Sequence, residues 1–426
     1  MKKTITNHIA SSLYSIAVIL TLMAVIEPQQ VHAQDRTNFW KYQCIDTMKE
    51  SRDNARASLD DPTLDKNIVW EMKTIKSLGA NCVAIDTPYD AEFLPVLNKW
   101  VAGARAEDLH IWFRGNFSGW EGWFGYPKIT SSQDELTRLS TFIKANPQVF
   151  QDGDIFTGTP EAENGGPLVP VNPAHYPDYR QFLIDEYATE KDAFSSINKN
   201  ITLNWFSMNG DIAKQIYDQV TLDKIGNVVT VDHYIKDANE MGDIIKYFNT
   251  TYGSKFMLGE FGAPIPDING NMTEDQQATF VDQVFQQLYQ QREKVLGINY
   301  WDLTDGSTAL MNDDKTPRKV TEVIKKYFNP PVVKGKVTTI DHFPLADLDI
   351  STNDSSIMVK TDKDGMYSFP TTATDIELQV NYQDKVATAS VSHLQPDKTY
   401  IKNFMIGTMQ KSLVEQLQEF IKKCLQ

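Results

Sequence analysis

The sequence predicts an α/β protein in which a (β/α)8 TIM barrel is followed by a small all-β sandwich domain. Between residues 40 and 328, eight short apolar runs alternate with amphipathic helical stretches, which is typical of strands and helices alternating around a barrel. After Pro331 the helical periodicity stops and short alternating runs replace it, which indicates a second, all-β unit. A chain of 426 residues is long enough for both.

The predicted barrel occupies residues 38–329. In chain order its strand-like runs are "KYQCID", "NCVAID", "HIWFRG", "DIFTGT", "ITLNWF", "VVTVDH", "FMLGEF" and "GINYWD". Before the eighth run, Phe280, Val284 and Leu288 recur at helical spacing, and Thr273 and Gln276 form a plausible capping box for that helix. Because active sites of such barrels lie at the carboxyl ends of the strands, the residues that end each run are the functional candidates.

The predicted sandwich occupies residues 332–408. Its runs include "VVKGKVTT", "DLDIST", "SIMVKT", "MYSFP", "IELQVNY" and "VATASVS", and Asp364 and Gly365 suit a hairpin turn between two of them. Residues 409–426 predict an amphipathic helix that packs back onto a domain.

The charge of the chain limits its partners. The formal net charge is −15, and an acidic surface repels phosphate backbones and anionic lipid. We therefore expect no nucleic acid and no membrane-surface partner, and the sequence implies no protein partner. A neutral substrate remains open.

Residues 1–33 predict a secretory signal peptide. Lys2 and Lys3 precede an apolar stretch from residue 13 to 26, and "VHAQ" follows with a cleavage position after Ala33, which is the three-part pattern of such signals. The protein is therefore expected to be secreted or held at the cell surface. An uncleaved anchor remains the alternative.

Three cysteines are too few for a disulfide framework. Cys44 and Cys82 lie in the first two apolar runs, and we interpret them as buried core thiols. A disulfide between neighbouring strands is the alternative that the sequence leaves open.

Glutamates end the fourth and seventh runs. Glu260 follows the apolar residues of "FMLGEF", and Glu161 and Glu163 follow "DIFTGT". An unpaired charge in such a position is costly, so it indicates either a strong partner or chemistry. Hydrolysis of a glycosidic bond needs two carboxyl groups, one as acid and one as nucleophile or base. These three glutamates are the predicted catalytic residues.

The motifs "LGEFGAP" and "YWDLTDG" resemble the seventh and eighth strand ends of the large clan of retaining (β/α)8 glycoside hydrolases, which includes cellulases and β-mannanases. The resemblance covers residues 40–328. It implies that Glu260 is the nucleophile and Trp301 a sugar platform. In that clan the acid usually follows Asn, whereas Glu161 follows Pro and Glu163 follows Ala. We favour Glu161 as the acid because it is nearer the strand end, and Glu163 remains the alternative.

Further substrate-binding residues are predicted around these glutamates. The resemblance implies that His233 or Tyr234, in "VDHY", holds the nucleophile. Arg114, in "WFRGNFSGW", places a cation near the carboxylates. The other candidates at the strand ends and in the loops are two tryptophans expected to be exposed and three polar residues, namely Trp120, Trp123, Asn204, Asp86 and Asp46.

Other classes of protein fit less well. The barrel region holds His110, His175 and His233 but no paired histidines, so no metal site is predicted. The segment "CIDTMKESRD" has no glycine, so no dinucleotide cofactor is predicted, and no other cofactor is implied. The sandwich, with "VVKGKVTT" and "TDKDGMYSF", resembles the carboxypeptidase regulatory-like domain. The main alternative function is a non-catalytic carbohydrate-binding or surface scaffold protein on a hydrolase-like barrel.

Overall fold

The structure is a computed structural model and describes residues 38–168, 173–354 and 357–407, with Gln418 and Ile421. The predicted signal peptide and the rest of the predicted helix 409–426 lie outside the described residues. Among the described helices, none has the length and apolar character needed to cross a bilayer.

Seven parallel strands form a curled sheet, which confirms the predicted α/β barrel class together with the separate all-β sheets that follow it. Their spatial order is β4-β3-β2-β1-β7-β6-β5. The strands are β1 (Tyr42–Asp46), β2 (Cys82–Ile85), β3 (His110–Phe113), β4 (Ile155–Phe156), β5 (Val228–Asp232), β6 (Lys255–Phe261) and β7 (Val295–Tyr300).

Helices follow the strands and pack on the outside of the sheet. They are α1 (Leu64–Ser77), α2 (Leu94–Ala106), α3 (Ser118–Glu121), α4 (Ser132–Ala145), α5 (Tyr176–Ser196), α6 (Gly210–Ile216), α7 (Gln219–Lys224), α8 (Asn239–Tyr252), α9 (Pro266–Asn269), α10 (Glu274–Gln290) and α11 (Val320–Phe328). A π-helical turn, Lys49–Asp53, follows β1. The predicted capping box of α10, formed by Thr273 and Gln276, is confirmed.

The fifth predicted run, residues 201–206, is not a strand, although it occupies the fifth position of the barrel wall. Thr202 forms an isolated parallel bridge with Ile155 of β4, and Asn209 forms one with Asp232 of β5. Between these bridges the Trp205 carbonyl accepts a hydrogen bond from the Thr157 hydroxyl at 2.8 Å. A side-chain hydroxyl thus occupies a backbone carbonyl that would accept a backbone hydrogen bond in a regular parallel strand pair.

Cys44 and Cys82 are paired neighbours in the register of β1 and β2. Both are fully buried inside the barrel, as predicted, but they form a disulfide. The interpretation of free thiols is therefore wrong, and the alternative of a bridge between neighbouring strands is correct. The disulfide lies in an apolar cluster inside the barrel that also contains Trp112, Trp205 and Met257.

Two sheets after residue 331 enclose their own apolar core. One sheet contains β8 (Val332–Thr338), β11 (Met366–Pro370), β14 (Thr399–Ile401) and β15 (Phe404–Met405). The other contains β9 (Asp349–Thr352), β10 (Met358–Lys360), β12 (Asp375–Tyr382) and β13 (Lys385–Ser392). Val333 and Phe369 of the first sheet and Ile350 and Leu378 of the second share this core, as expected for a sandwich.

Candidate active site

The carboxyl ends of the barrel strands bring four acidic side chains around Arg114, which follows β3. The Arg114 guanidinium lies 2.7 Å from Glu260 Oε1, 3.0 Å from Asp46 Oδ2, 3.4 Å from Asp232 Oδ2 and 3.7 Å from Asp86 Oδ1. All five side chains are almost completely buried. Removal of so much charge from water is tolerated only where opposite charges meet, so this cluster is held together by Arg114.

Both oxygens of Glu260 accept hydrogen bonds. Oε1 accepts from Arg114, and Oε2 accepts from the Tyr234 hydroxyl at 2.8 Å. The contact with Tyr234 is the one that the resemblance implied. A carboxylate with a charged donor on one oxygen and a phenol on the other is fixed in orientation.

Glu161 approaches Glu260 from the segment after β4. Its backbone is left-handed, with φ 46°, its amide donates to the Ser207 carbonyl at 3.0 Å, and Asn164 Nδ2 donates to its Oε2 at 3.1 Å. Burial raises the pKa of Glu161 well above its usual range, and the negative charges of Glu260 and Asp232 raise it further. Burial and these neighbouring charges therefore favour the protonated form of the Glu161 carboxyl group.

Glu163 is held differently. Its Oε2 accepts from the Tyr179 hydroxyl at 2.7 Å and its Oε1 accepts from the Asn209 amide at 2.8 Å. Burial raises its pKa, although both hydrogen bonds oppose that shift. Because both oxygens are engaged, Glu163 ties its own loop to α5 and to the start of α6.

Two tryptophans line the site with partly exposed rings. Trp301 lies edge-to-face against Tyr234, with ring centroids 6.0 Å apart, and Lys49 Nζ lies 5.3 Å from its ring centroid. Trp123 has the Arg52 guanidinium 4.7 Å from its ring centroid. Each indole is thus held by a cation from the turn after β1.

Trp120 does not match its prediction. It is fully buried, stacks on Phe182 with centroids 5.4 Å apart, and donates its indole N–H to the Ala162 carbonyl. The segment after Glu163 covers its other side, since a β-carbon at Gly166 would lie 2.6 Å from the indole. The expectation that Trp120 is exposed is therefore wrong.

Two other predicted side chains are directed away from the carboxylate pair. Asn204 donates to the Gly226 carbonyl, two residues before β5 begins, so it lies toward the amino-terminal side of that strand. His233 contacts the first residue of α6, since a β-carbon at Gly210 would lie 2.7 Å from His233 Nδ1. Burial lowers the pKa of His233 to about 4, so its imidazole is neutral at pH 7.

Asp86 is 1% exposed and forms part of the Arg114 cluster rather than an exposed wall. Burial and the charge of Asp46 raise its pKa well above the usual range. We therefore place Asp86 beneath the site, as a neighbour of Arg114, and not at a surface that a sugar can reach.

The predicted residue set missed Asp232, Ser207 and Asn299. Asp232 pairs in register with Glu260, Ser207 Oγ accepts from Arg114 at 3.1 Å, and Asn299 donates to Asp46 at 2.7 Å. Asp232 lies next to the end of the run "VVTVDH", so the rule that selected Asp46 would have found it, whereas Asn299 lies inside the run "GINYWD". No local signal marks Ser207.

One oxygen from each of Glu161, Asp232 and Glu260 lies within 4.8 Å of the others, so these carboxylates have a spacing that can hold a metal ion. Two of them already face a guanidinium, Glu260 at 2.7 Å and Asp232 at 3.4 Å. A second cation there would meet the Arg114 charge. The donor set therefore suits proton transfer and covalent catalysis better than metal binding.

Comparisons with protein-family models and with curated protein sequences found no match to this chain. Among solved structures, XacCel5A in complex with cellopentaose is similar over 68% of this chain and 100% of its own, at 11% identity and a TM-score of 0.50. A fungal β-1,4-galactanase is similar over 67% of this chain and 99% of its own, at 13% identity and a TM-score of 0.49.

Bacteroides uniformis β-glucuronidase 2 is similar over 85% of this chain, at 12% identity and a TM-score of 0.45. This chain covers 46% of that enzyme, so it spans about half the length of the β-glucuronidase. At these identities the likeness concerns the fold. The chain has a TIM-barrel fold similar to that of XacCel5A.

Proposed function

We propose that this protein is an exported, retaining glycoside hydrolase that cleaves internal bonds of a β-linked neutral polysaccharide, of the mannan or glucan type. One observation carries the proposal. Glu260 is fixed by Arg114 and Tyr234, while Glu161, whose protonated form is favoured by burial, has an oxygen within 4.8 Å of it. Two carboxyl groups at this separation, held in different environments, are the arrangement that double displacement needs.

In the first step Glu260 attacks the anomeric carbon, and Glu161 gives its proton to the leaving oxygen. In the second step water attacks the glycosyl-enzyme and transfers a proton to Glu161. Formation of the ester removes the charge of Glu260, which is one cause of the raised pKa of Glu161. The pKa of Glu161 is therefore lower in the glycosyl-enzyme than in the free enzyme, so the same residue can serve as base in the second step.

The separation of the carboxyl groups supports retention. Retaining enzymes place them roughly 5–5.5 Å apart, whereas inverting enzymes leave roughly 6.5–9.5 Å for a water molecule. One oxygen of Glu161 and one of Glu260 lie within 4.8 Å of each other, which is closer than the separation of an inverting pair.

The substrate class rests on the walls of the site. The partly exposed rings of Trp301 and Trp123 suit the apolar faces of pyranose rings. Glu121, partly exposed on α3, adds an acidic group whose pKa burial raises to about 7, with Glu163 and Glu260 adding to the shift. Such an acidic wall favours neutral sugars over uronic acids.

Export is proposed from the signal-like residues 1–33, and the Cys44–Cys82 disulfide supports it because disulfides persist in oxidising compartments. Sequencing the amino terminus of the protein isolated from the culture medium tests this. We expect it to begin at Gln34, and a protein found only inside cells with Met1 intact would contradict export.

The decisive experiment compares Glu260→Ala, Glu161→Ala and Glu163→Ala on dinitrophenyl β-glycosides, whose leaving group needs no proton. Glu260→Ala should abolish turnover. Glu161→Ala should retain first-step cleavage and regain turnover with azide, because azide attacks the glycosyl-enzyme without a general base. Glu163→Ala is the matched control and should mainly weaken binding.

Rescue in the Glu163 variant instead would transfer the acid role to that residue. If the wild type binds soluble glucans or mannans, and neither it nor any variant releases reducing ends, the carbohydrate-binding scaffold is favoured. Activity confined to acidic polymers or to single terminal sugars would contradict the proposed substrate class.

A further inference from the structure

A second group of acidic side chains lies on α4 and α5, the helices that precede and follow β4 in the chain, outside the site described above. Glu186 and Glu190 on α5 and Glu135 on α4 are each 0% exposed. None of their six carboxyl oxygens makes a hydrogen bond of normal geometry. The mechanism proposed above makes no use of them.

The surroundings of these three groups offer little compensation for charge. Arg138, on α4, lowers only the pKa of Glu135 and is itself paired with Asp134 at the surface. The other ionisable groups around the three are acidic or phenolic, and they are Asp90, Tyr89 and Tyr179. Burial therefore raises the pKa of all three carboxyl groups and favours their protonated forms.

Glu186 and Glu190 both contact the segment that leads from β4 to Glu161. A β-carbon at Gly158 would lie 2.6 Å from Glu190 Oε1 and 2.8 Å from Glu186 Oε1. No side chain fits between this backbone and the two carboxyl groups. The amide and hydroxyl of Thr159 are the donors nearest Glu186.

The segment itself is fixed at its two ends. Thr157 is held by the Phe113 carbonyl, the Tyr89 hydroxyl, the Trp112 indole and the Trp205 carbonyl, and Glu161 is held by the Ser207 carbonyl and by Asn164. Between these ends the chain rests on the α5 carboxyl groups, and it ends in a left-handed residue. The path of the backbone from Thr157 to Glu161 therefore depends on that support.

We propose that Glu186 and Glu190 are positioning residues that hold residues 157–161 in place as uncharged carboxylic acids, and that their ionisation in mildly alkaline solution releases this segment. Loss of both protons would put two like charges beside Gly158, where none of the described cations lowers the pKa of either carboxyl group, and we expect the backbone to move. The role assigned to Glu161 rests on the proposed function, but the support of its segment does not.

The direction of the pH effect follows from burial. Burial raises the pKa of Glu186 to about 8 and that of Glu190 well above its usual range. The folded state therefore binds more protons than the unfolded state above pH 4.5, so stability is lost as the pH rises toward the folded pKa. Each such group increases the unfolding equilibrium constant about tenfold per pH unit in this window.

The test uses the full chain and the variants Glu186→Gln, Glu190→Gln and the double variant, since an amide has the same shape but cannot ionise. Glu135→Gln is the matched control, because it removes a buried acid of the same pocket on α4, which is not among the nearest neighbours of Gly158. Urea unfolding and amide hydrogen exchange of the peptide covering 157–161 are measured from pH 6 to pH 9, corrected for the intrinsic exchange rate.

In the wild type we expect protection of 157–161 to fall at least tenfold between pH 7 and pH 9. The double glutamine variant should keep its protection, whereas Glu135→Gln should lose protection of this segment as the wild type does. The free energy of unfolding of Glu135→Gln should nevertheless depend less on pH than that of the wild type. Equal loss in the double variant, or no loss in the wild type, overturns the proposal.

These measurements need no substrate, so they remain decisive if hydrolysis is never found. Where hydrolysis is found, the alkaline limb of kcat should shift upward in the double variant with KM unchanged. An unchanged limb would contradict the link between this support and Glu161.

Discussion

Replacing Arg114 with methionine keeps an apolar stem of similar length and removes the guanidinium that contacts Glu260, Asp46, Asp232 and Asp86. Two of these contacts, at 2.7 Å and 3.0 Å, are charge-assisted hydrogen bonds inside the protein. Breaking a buried ion pair from one side costs about 3–5 kcal/mol, because the remaining charge has no partner. We expect Arg114→Met to lower the free energy of unfolding at pH 7 by about that amount.

The pH dependence provides an internal check. Without the cation, which lowers the pKa of Asp46, Asp86 and Asp232, the folded-state pKa values of these three groups rise further. The variant therefore loses stability as the pH rises and differs least from the wild type near pH 4–5. Arg114→Lys is the control, since it keeps the charge but cannot donate from a planar fork to two sides at once. Urea unfolding from pH 4 to pH 8 measures all three proteins. A methionine variant within about 1 kcal/mol of the wild type at pH 7 would refute the view that Arg114 holds the cluster together.

Three further outcomes are expected. Tyr234→Phe removes a hydrogen bond to Glu260 worth about 1.5–3 kcal/mol of folding stability, so the unfolding midpoint should fall and kcat/KM should fall about 10–100-fold; an unchanged kcat/KM would contradict the role of this contact. His233, whose pKa is lowered to about 4, binds fewer protons folded than unfolded, so the wild type should lose stability relative to His233→Gln by about 1 kcal/mol per pH unit as the pH falls from 6.5 toward 4. Reduction of the Cys44–Cys82 disulfide, with its sequence separation of 38, should cost about 4 kcal/mol in urea unfolding on the chain-entropy model; a difference below about 1 kcal/mol would contradict that model here.

Much of the barrel could be predicted because its strands are buried on both faces and therefore read as continuous apolar runs. The fifth run looks like the others, with Ile201, Leu203 and Phe206. It fails to become a strand because Thr157 takes the carbonyl of Trp205 and Asn204 reaches Gly226. These partners lie far away along the chain, so the local sequence does not reveal them.

The site shows the same limit. Glu260, Glu161 and Arg114 could be selected because each ends or follows an apolar run, but the contact between Arg114 and Glu260 joins residues 146 positions apart. Trp120 was expected to be exposed since it lies in a glycine-rich loop. It is buried because another loop, with Gly165 and Gly166, packs flat against its ring. The exposure of an aromatic side chain in a loop depends on which other segments of the chain pack against it.

The apolar cluster inside the barrel lies directly beneath the charged side chains around Arg114. The Arg114 guanidinium lies 5.0 Å from the ring centroid of Trp112, and Trp205 and the disulfide continue this layer. Water and salt ions therefore reach the charges from the mouth of the barrel and not from below, and low-dielectric walls focus the field of buried charges toward such an opening. Counter-ions at physiological ionic strength screen charges over about 8 Å, and here they act only from the mouth of the barrel. The electrostatic potential of the charged side chains around Arg114 is thus directed at any molecule that enters the mouth. Once that molecule has displaced the water, changes in ionic strength should alter this potential little.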